Sequence, residues 1–387
     1  MSFFDKVPQI PEDPIFGLTE EFKKDLRKEK RNLSIGVYRD EQLNPFILKV
    51  VKEAEKRIIE KETSKEYLPL DGSQGFLEKI GKFAFGETFW NQYTKQIAAA
   101  QTAGGTNALR LGADLIKNYS SDRILISDPS WPNHPGIFNR VGFTIEKYPY
   151  YDLKSAMIDW EKMRAALIRA PVNTVVLLQP CCHNPSGMNL SQQQWEEVAT
   201  IMKEKKLIPF FDFAYQGFGR GIEEDTAALA PFIEREQEFL LAYSCSKNFS
   251  LYCERVGALF IFVSSEKEKP RIQSVLKGLT RNNISNPPAH GSRIVEEILN
   301  DQQLSKKWRE EVEQMRCRII ALRKEVSQKL NLPHIARAEG MFGYLHLSSS
   351  LVEKIKNETG IYMTSDSRIN LAALNMEILE RLKNAIG

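Results

Sequence analysis

Five apolar runs punctuate the middle of the chain, at 123–127, 174–178, 207–211, 239–243 and 258–262. Each is short, rich in Ile, Leu, Val and Phe, and bounded by polar or turn-forming residues, which is the signature of a strand buried on both faces. Between and around them the apolar positions recur at helical spacing over 106–118, 191–205, 226–236 and 267–280. Strands alternating with helices predict a mostly parallel α/β sheet covered on both faces. Pro209 falls inside one run and weakens that strand, because proline cannot donate to a ladder. Toward the start, Pro8, Pro11, Pro14 and Gly17 predict an extended arm over 8–17, followed by a short polar helix over 19–30 capped by Thr19, and an amphipathic helix over 48–62. From 295 to 331 the chain is charged and helical; beyond it, Gly340, Gly343 and Gly360 mark turns in a mixed tail that reads as a smaller α/β domain. No repeat or low-complexity segment interrupts this plan.

A chain of 387 residues allows two or three domains, or one large and one small. Hydrophobic residues make up 42% and charged residues 27%, enough apolar material for a large core. The 53 basic and 50 acidic residues leave a net charge of +3, so neither nucleic acid nor an anionic membrane is expected as a partner. The opening Met1-Ser2-Phe3-Phe4-Asp5-Lys6 lacks a basic region followed by an apolar stretch, so no secretory signal is expected. No apolar run approaches the ~18 residues of a membrane span. Cys181, Cys182, Cys245, Cys253 and Cys317 form no Cys-x-x-Cys pair, which argues against a disulfide framework or zinc site and fits a reducing cytoplasm.

Polar residues collect at four strand ends: Asp128-Pro129-Ser130-Trp131, Cys182-His183-Asn184-Pro185, Asp212-Phe213-Ala214-Tyr215, and Ser244-Cys245-Ser246-Lys247. In parallel sheets ligands bind at the carboxyl ends of strands. Lys247, just past an apolar run, suits a Schiff-base lysine, whose amine must be kept near other cations and away from bulk water to stay nucleophilic. Arg255, eight residues on and followed by Gly257, is an obligate cation near serine hydroxyls and suits a phosphate. A reactive amine beside a phosphate clamp suggests pyridoxal phosphate (PLP). Gly104-Gly105-Thr106 opens a helix whose free N–H groups can hold a phosphate, although alone it reads more readily as a glycine turn with a Thr cap. Asp212 needs a cationic partner, which a pyridinium nitrogen would supply, or else it caps a turn. Tyr215 could reach the cofactor's phenolic oxygen, as could the Asn184 amide, within a segment Asn184-Pro185-Ser186-Gly187 that by itself predicts a type I turn. Trp131 can stack on a flat ring or anchor a loop. His134 and His183 lack metal-ligand spacing; they read as hydrogen-bonding supports, and no metal is expected.

These segments, together with Asp13-Pro14-Ile15-Phe16-Gly17-Leu18, Ile35-Gly36-Val37-Tyr38, Tyr67-Leu68-Pro69-Leu70-Asp71-Gly72, Gly104 to Arg110 and Ser285-Asn286-Pro287-Pro288-Ala289-His290-Gly291, resemble in order the aspartate aminotransferases, dimeric fold-type I PLP enzymes of aminotransferase class I. The resemblance implies a large PLP-binding domain with a mostly parallel central sheet flanked by helices, over 45–314. It also implies a smaller α/β domain built from both chain ends, 15–44 and 315–387, with 1–14 as an N-terminal arm.

It further implies residue roles. Lys247 is the Schiff-base lysine and general base, Asp212 binds the ring nitrogen, and Tyr215 and Asn184 hold the phenolic oxygen. Gly104, Gly105, Thr106, Ser244, Ser246 and Arg255 surround the phosphate, Tyr67 reaches it from the other subunit of a homodimer, and Trp131 stacks on the ring. Arg368 pairs with the substrate α-carboxylate, Arg281 crosses from the neighbouring subunit to the side-chain carboxylate, and Ile35 and Gly36 line the pocket. The implied reaction converts L-aspartate and 2-oxoglutarate to oxaloacetate and L-glutamate, ping-pong through pyridoxamine phosphate. An aromatic amino acid aminotransferase of the same family is the alternative, because accepting an aromatic side chain depends on pocket plasticity. Three positions depart from the family's pattern: Gln179, where a histidine often supports the ring-nitrogen aspartate; Ser367 before Arg368, where Gly is familiar; and Ala373 in the pair Ala372-Ala373.

Overall fold

The computed structural model describes residues 2, 4–9 and 14–387, with the side chains of residues 14–16 excepted. Its strands in chain order are β1 (Arg31–Asn32), β2 (Ile97–Ala103), β3 (Arg123–Asp128), β4 (Thr144–Pro149), β5 (Tyr151–Asp152), β6 (Met157–Ile158), β7 (Val175–Leu178), β8 (Ile208–Phe213), β9 (Phe239–Ser244), β10 (Val256–Phe262), β11 (Phe342–Tyr344), β12 (Ile361–Tyr362) and β13 (Arg368–Asn370). Seven of them form the central sheet in the order β2-β10-β9-β8-β7-β3-β4. Strands β9, β8, β7, β3 and β4 run parallel, and β10 is antiparallel to both of its neighbours. All five predicted strands are present. Two sheet members were not predicted. In β2 the small residues Ala98, Ala99 and Ala100 carry little apolar signal, and β4 alternates too weakly to stand out. Pro209 is accommodated as the second residue of β8, where pairing with β9 begins only at Phe210.

Each face of the sheet is covered by its own apolar layer. Phe211, Phe213, Leu241, Tyr243, Phe260 and Phe262 point to one side, toward Trp195, Phe232 and Trp308. Phe210, Leu240, Ala242, Leu259 and Ile261 point to the other, toward Leu109, Ile116 and Phe138. Alternate residues of the same strands thus feed opposite layers, as the period of two requires. The predicted helix at 226–236 is a 3₁₀ segment, Glu224–Leu229, that runs into a short α-helix, Ala230–Glu234. A third apolar cluster joins Leu33 to Val326, Ile335, Ile361, Ile369 and Leu379. There β1 pairs in parallel with β12, and β11 with β13 in antiparallel register, so segments over 300 residues apart share one small layer.

The predicted N-terminal arm is corrected in part. Residues 10–13 lie outside the described residues, but a helix spans Pro14–Lys24 and places Gly17 and Thr19 inside it. Proline is compatible with the first helical turn, because the N–H it lacks has no intrahelical acceptor there. Among the described residues no helix is long and apolar enough to cross a membrane.

Candidate active site

The four polar strand ends belong to β3, β7, β8 and β9, which are consecutive neighbours in the sheet. Their loops converge on a cavity of about 200 Å³ whose walls include Trp131, Asn184, Asp212, Tyr215, Ser244, Ser246, Lys247 and Arg255. Gly36, Gly105 and Thr106 complete it from other segments. Asp128 itself stands outside, exposed and paired with Lys147 at 3.1 Å.

Lys247 Nζ lies 5.0 Å from the centroid of the Tyr215 ring. Burial pushes this amine down to about 8; Asp212 opposes that shift and Arg255 adds to it. A minor fraction, about a tenth at pH 7, is therefore the neutral, nucleophilic amine. Burial also raises the Tyr215 hydroxyl above its ordinary value, so it remains protonated and able to donate. The Asn184 amide nitrogen donates to the Tyr215 hydroxyl at 3.3 Å.

Asp212 is the penultimate residue of β8 and is 9% exposed. Fully buried His134 places Nε2 3.0 Å from Asp212 Oδ2, and its Nδ1 is 2.8 Å from Ser130 Oγ. An ionised Asp212 requires the proton on Nε2, so His134 donates and leaves the carboxylate ready to face a cation in the cavity. His183 is a separate support: it bridges Ser127 and Ser186 at 3.0 and 2.8 Å and stacks on Tyr150. Burial pushes its imidazole down to about 3, so it stays neutral.

The opposite wall is built for an anion. Strand β2 runs directly into the helix Gly104–Tyr119, whose first N–H groups have no intrahelical partner. Gly104 has φ +81°, and a Cβ there would lie 2.3 Å from Arg255 Nη2; a Cβ at Gly105 would lie 3.0 Å from Ser244 Cβ. Side chains at these positions would fill the cradle. Arg255 donates to Ser246 Oγ, Tyr252 O and Ala103 O, and to no carboxylate among the described residues. Ser244 Oγ donates to Ser246 Oγ at 3.1 Å. A guanidinium with only neutral partners, beside two hydroxyls and a helix N-terminus, is a donor set suited to a phosphate.

Arg368, on β13, is 3% exposed. Its Nη1 donates to Asn184 Oδ1 at 3.4 Å and its Nη2 to Ser34 O at 2.8 Å, and its guanidinium lies 4.7 Å from the Phe342 ring centroid. Phe342 also bounds Gly36, where a Cβ would sit 2.9 Å from the ring. Tyr67 and Arg281 are not among the walls. Tyr67 is 89% exposed, and Arg281 is exposed and donates to Ser285 Oγ at 2.6 Å.

Two participants were not singled out from the sequence. Tyr252 lines the cavity and accepts the Tyr38 N–H at 3.0 Å. Phe342 reaches the site from the small layer, and no local signal marks it. Gln179, noted in the sequence as a departure from the family's pattern, bonds the Asn184 backbone and not Asp212. The segment after it also departs from a type I turn: the Asn184–Pro185 bond is cis, and Gly187 N–H reaches back to His183 O.

Residues 28–386 match the family described as aminotransferase class I and II. The chain is 40% identical to an aspartate aminotransferase of Pseudomonas aeruginosa, covering 100% of this chain and 99% of that one. It is 41% identical, with the same coverage, to an aromatic-amino-acid aminotransferase of the same organism. Among solved structures, an aromatic-amino-acid aminotransferase from Burkholderia pseudomallei covalently bound to pyridoxal phosphate superposes with a TM-score of 0.96 at 40% identity, over 100% of this chain and 99% of that one. The aspartate aminotransferase of Saccharomyces cerevisiae cytoplasm gives 0.95 at 29% identity, over 99% and 97%. This chain belongs to the class I and II aminotransferases. Its relatives at similar identity include both aspartate and aromatic enzymes, so descent fixes the reaction class and leaves the preferred amino acid open.

Proposed function

We propose that this protein is a PLP-dependent transaminase that converts L-aspartate and 2-oxoglutarate to oxaloacetate and L-glutamate. The observation that carries the cofactor is the pairing of a desolvated Lys247 with an anion cradle at Gly104, Gly105, Ser244, Ser246 and Arg255. The residues fit the group: the cradle takes the phosphate, Asp212 backed by His134 takes the ring nitrogen, and Tyr215 and Asn184 take the phenolic oxygen. Thr106 adds a hydroxyl at the cradle, and Trp131 supplies a flat face. When bound, PLP supplies an aldehyde for the substrate amine and a ring that takes up electrons from the Cα–H bond.

The chain's own groups then have defined tasks. Lys247 Nζ, once free, takes the proton from substrate Cα, as a base with a value near 8 can do at neutral pH. Asp212 keeps positive charge on the ring nitrogen. Arg368 pairs with the α-carboxylate, and Gly36 leaves room for it. Arg281 takes the side-chain carboxylate and Tyr67 the phosphate, both across the interface of a homodimer; that reading is supported by their exposure in the single chain. The division into an arm (1–14), a small domain (15–44 and 315–387) and a large domain (45–314) is supported by the separate apolar cluster that draws on both chain ends. A cytoplasmic location is supported by the cysteine usage, with no disulfide framework expected.

The test is to supply 2-oxoglutarate and compare kcat/KM for aspartate and phenylalanine. A clear preference for aspartate upholds the proposal. A preference for phenylalanine moves the assignment to an aromatic aminotransferase, and no transfer with either removes the transaminase reading. The Lys247→Ala variant should lose transfer while remaining folded.

A further inference from the structure

Gln179 is the first residue past β7, 7% exposed and bearing no charge. Its side chain does not point into the cavity. Its Oε1 accepts the backbone N–H of Asn184 at 2.8 Å, and its Nε2 donates to the backbone carbonyl of Asn184 at 3.1 Å. One amide thus holds both main-chain polar groups of one residue, five positions away in sequence. A primary amide suits this task, because it presents an acceptor and a donor side by side in one plane.

The clamped residue is the one whose side chain bridges the two halves of the site. Asn184 Nδ2 donates to the Tyr215 hydroxyl, and Asn184 Oδ1 accepts from Arg368 Nη1. Those side-chain bonds are long, at 3.3 and 3.4 Å, and are weak restraints by themselves. The shorter, fully buried main-chain bonds from Gln179 are what prevent the Asn184 backbone from rotating and carrying its amide away from either partner. The two ends of the amide are not equivalent: oxygen must face the arginine and nitrogen the tyrosine and cavity.

We infer that Gln179 is a positioning residue: by clamping the Asn184 main chain it sets the direction of the Asn184 amide, and so couples the carboxylate-binding Arg368 to the hydrogen bonds received by the cofactor's phenolic oxygen. This rests on the proposal that PLP occupies the cavity. Gln179 touches neither substrate nor cofactor. Its influence passes through Asn184, and removing the clamp weakens substrate binding and the support of the phenolate together.

The experiment uses the PLP-loaded protein and the variants Gln179→Leu, Gln179→Glu, Asn184→Ala and the double variant Gln179→Leu/Asn184→Ala. Two quantities are read: the Kd of succinate, a dicarboxylate with no amine to react, and the pH midpoint of the bound cofactor's absorption change. In Gln179→Leu the succinate Kd should rise on the order of tenfold, the worth of one hydrogen bond to a charged group. The midpoint should move upward, because the phenolate loses a donor. Gln179→Glu keeps the acceptor for the Asn184 N–H and should fall between wild type and Gln179→Leu; it carries the test if the leucine variant does not fold. In the Asn184→Ala background, Gln179→Leu should change neither quantity further, which is the signature of action through Asn184. Additive effects in the double variant, or lower thermal stability with both quantities unchanged, would overturn the positioning role. A wild-type protein that takes up no PLP would overturn the functional proposal and this inference with it, and that outcome is visible before any variant is made.

Discussion

The Arg255 guanidinium occupies the space that a side chain on residue 104 would fill: a Cβ built on Gly104 falls 2.3 Å from Arg255 Nη2. Residue 104 also has φ +81°, a region that L side chains enter at a cost of about 1–2 kcal/mol. The glycine and the arginine therefore act as a pair, the absence of one side chain permitting the close approach of the other. Gly104→Ala should lower the stability of the cofactor-free protein by about 1–2 kcal/mol in urea unfolding. It should also weaken PLP affinity by roughly tenfold or more, because Arg255 must move away from the phosphate. Equilibrium titration with PLP followed by absorbance measures the second effect.

Lys247 predicts a pH dependence. Its folded-state value is about 8, below the ~10.4 of a lysine in an unfolded chain. Below pH 8 both states are protonated, and the cost of burying the charge is fully present. Between about 8 and 10.4 the unfolded chain binds the extra proton, so this residue makes stability rise with pH. Lys247→Met removes the charge. Its stability advantage over cofactor-free wild type, measured by urea unfolding, should be greatest near pH 7 and shrink as pH rises past 8. The rate at which the wild-type amine combines with added PLP should climb through the same value and then level off.

Arg281 separates the two substrate readings. Arg281→Leu should lower kcat/KM for aspartate by roughly 100-fold, equivalent to about 3 kcal/mol for a lost charged pair, with phenylalanine changed by no more than about threefold. Equal losses for both amino acids would place Arg281 outside side-chain recognition.

Arg323 is buried, and among the described residues its guanidinium donates only to backbone carbonyls, those of Ile335, Glu339, Gly340 and Phe342. It ties down the turn that delivers Phe342 to Arg368 and Gly36. Arg323→Met leaves those carbonyls unpaired and should cost about 3–5 kcal/mol of stability in urea. At temperatures where the variant remains folded, the KM for the amino acid should also rise, because Phe342 is no longer held against Arg368, the arginine proposed to bind the carboxylate.

Much of this protein was already determined by its sequence. The apolar runs at 123–127, 174–178, 207–211, 239–243 and 258–262 all became strands, because a run of branched and aromatic residues bounded by turn formers has few other ways to be buried. Lys247, Asp212 and Asn184 were legible because each follows closely on such a run, where a polar residue stands out, and Arg255 because it lies eight residues beyond Lys247 near serine hydroxyls. Tertiary structure decided what local pattern does not encode. The sheet order brought four separate strand ends side by side, and β10 turned antiparallel between β2 and β9. Phe342 and Arg368 reached the site through pairing across the small apolar layer, and Gln179 turned to the Asn184 backbone instead of Asp212. Those relationships depend on long-range packing and on which hydrogen-bond partner lies within about 3 Å, distances that arise only once the layers have closed.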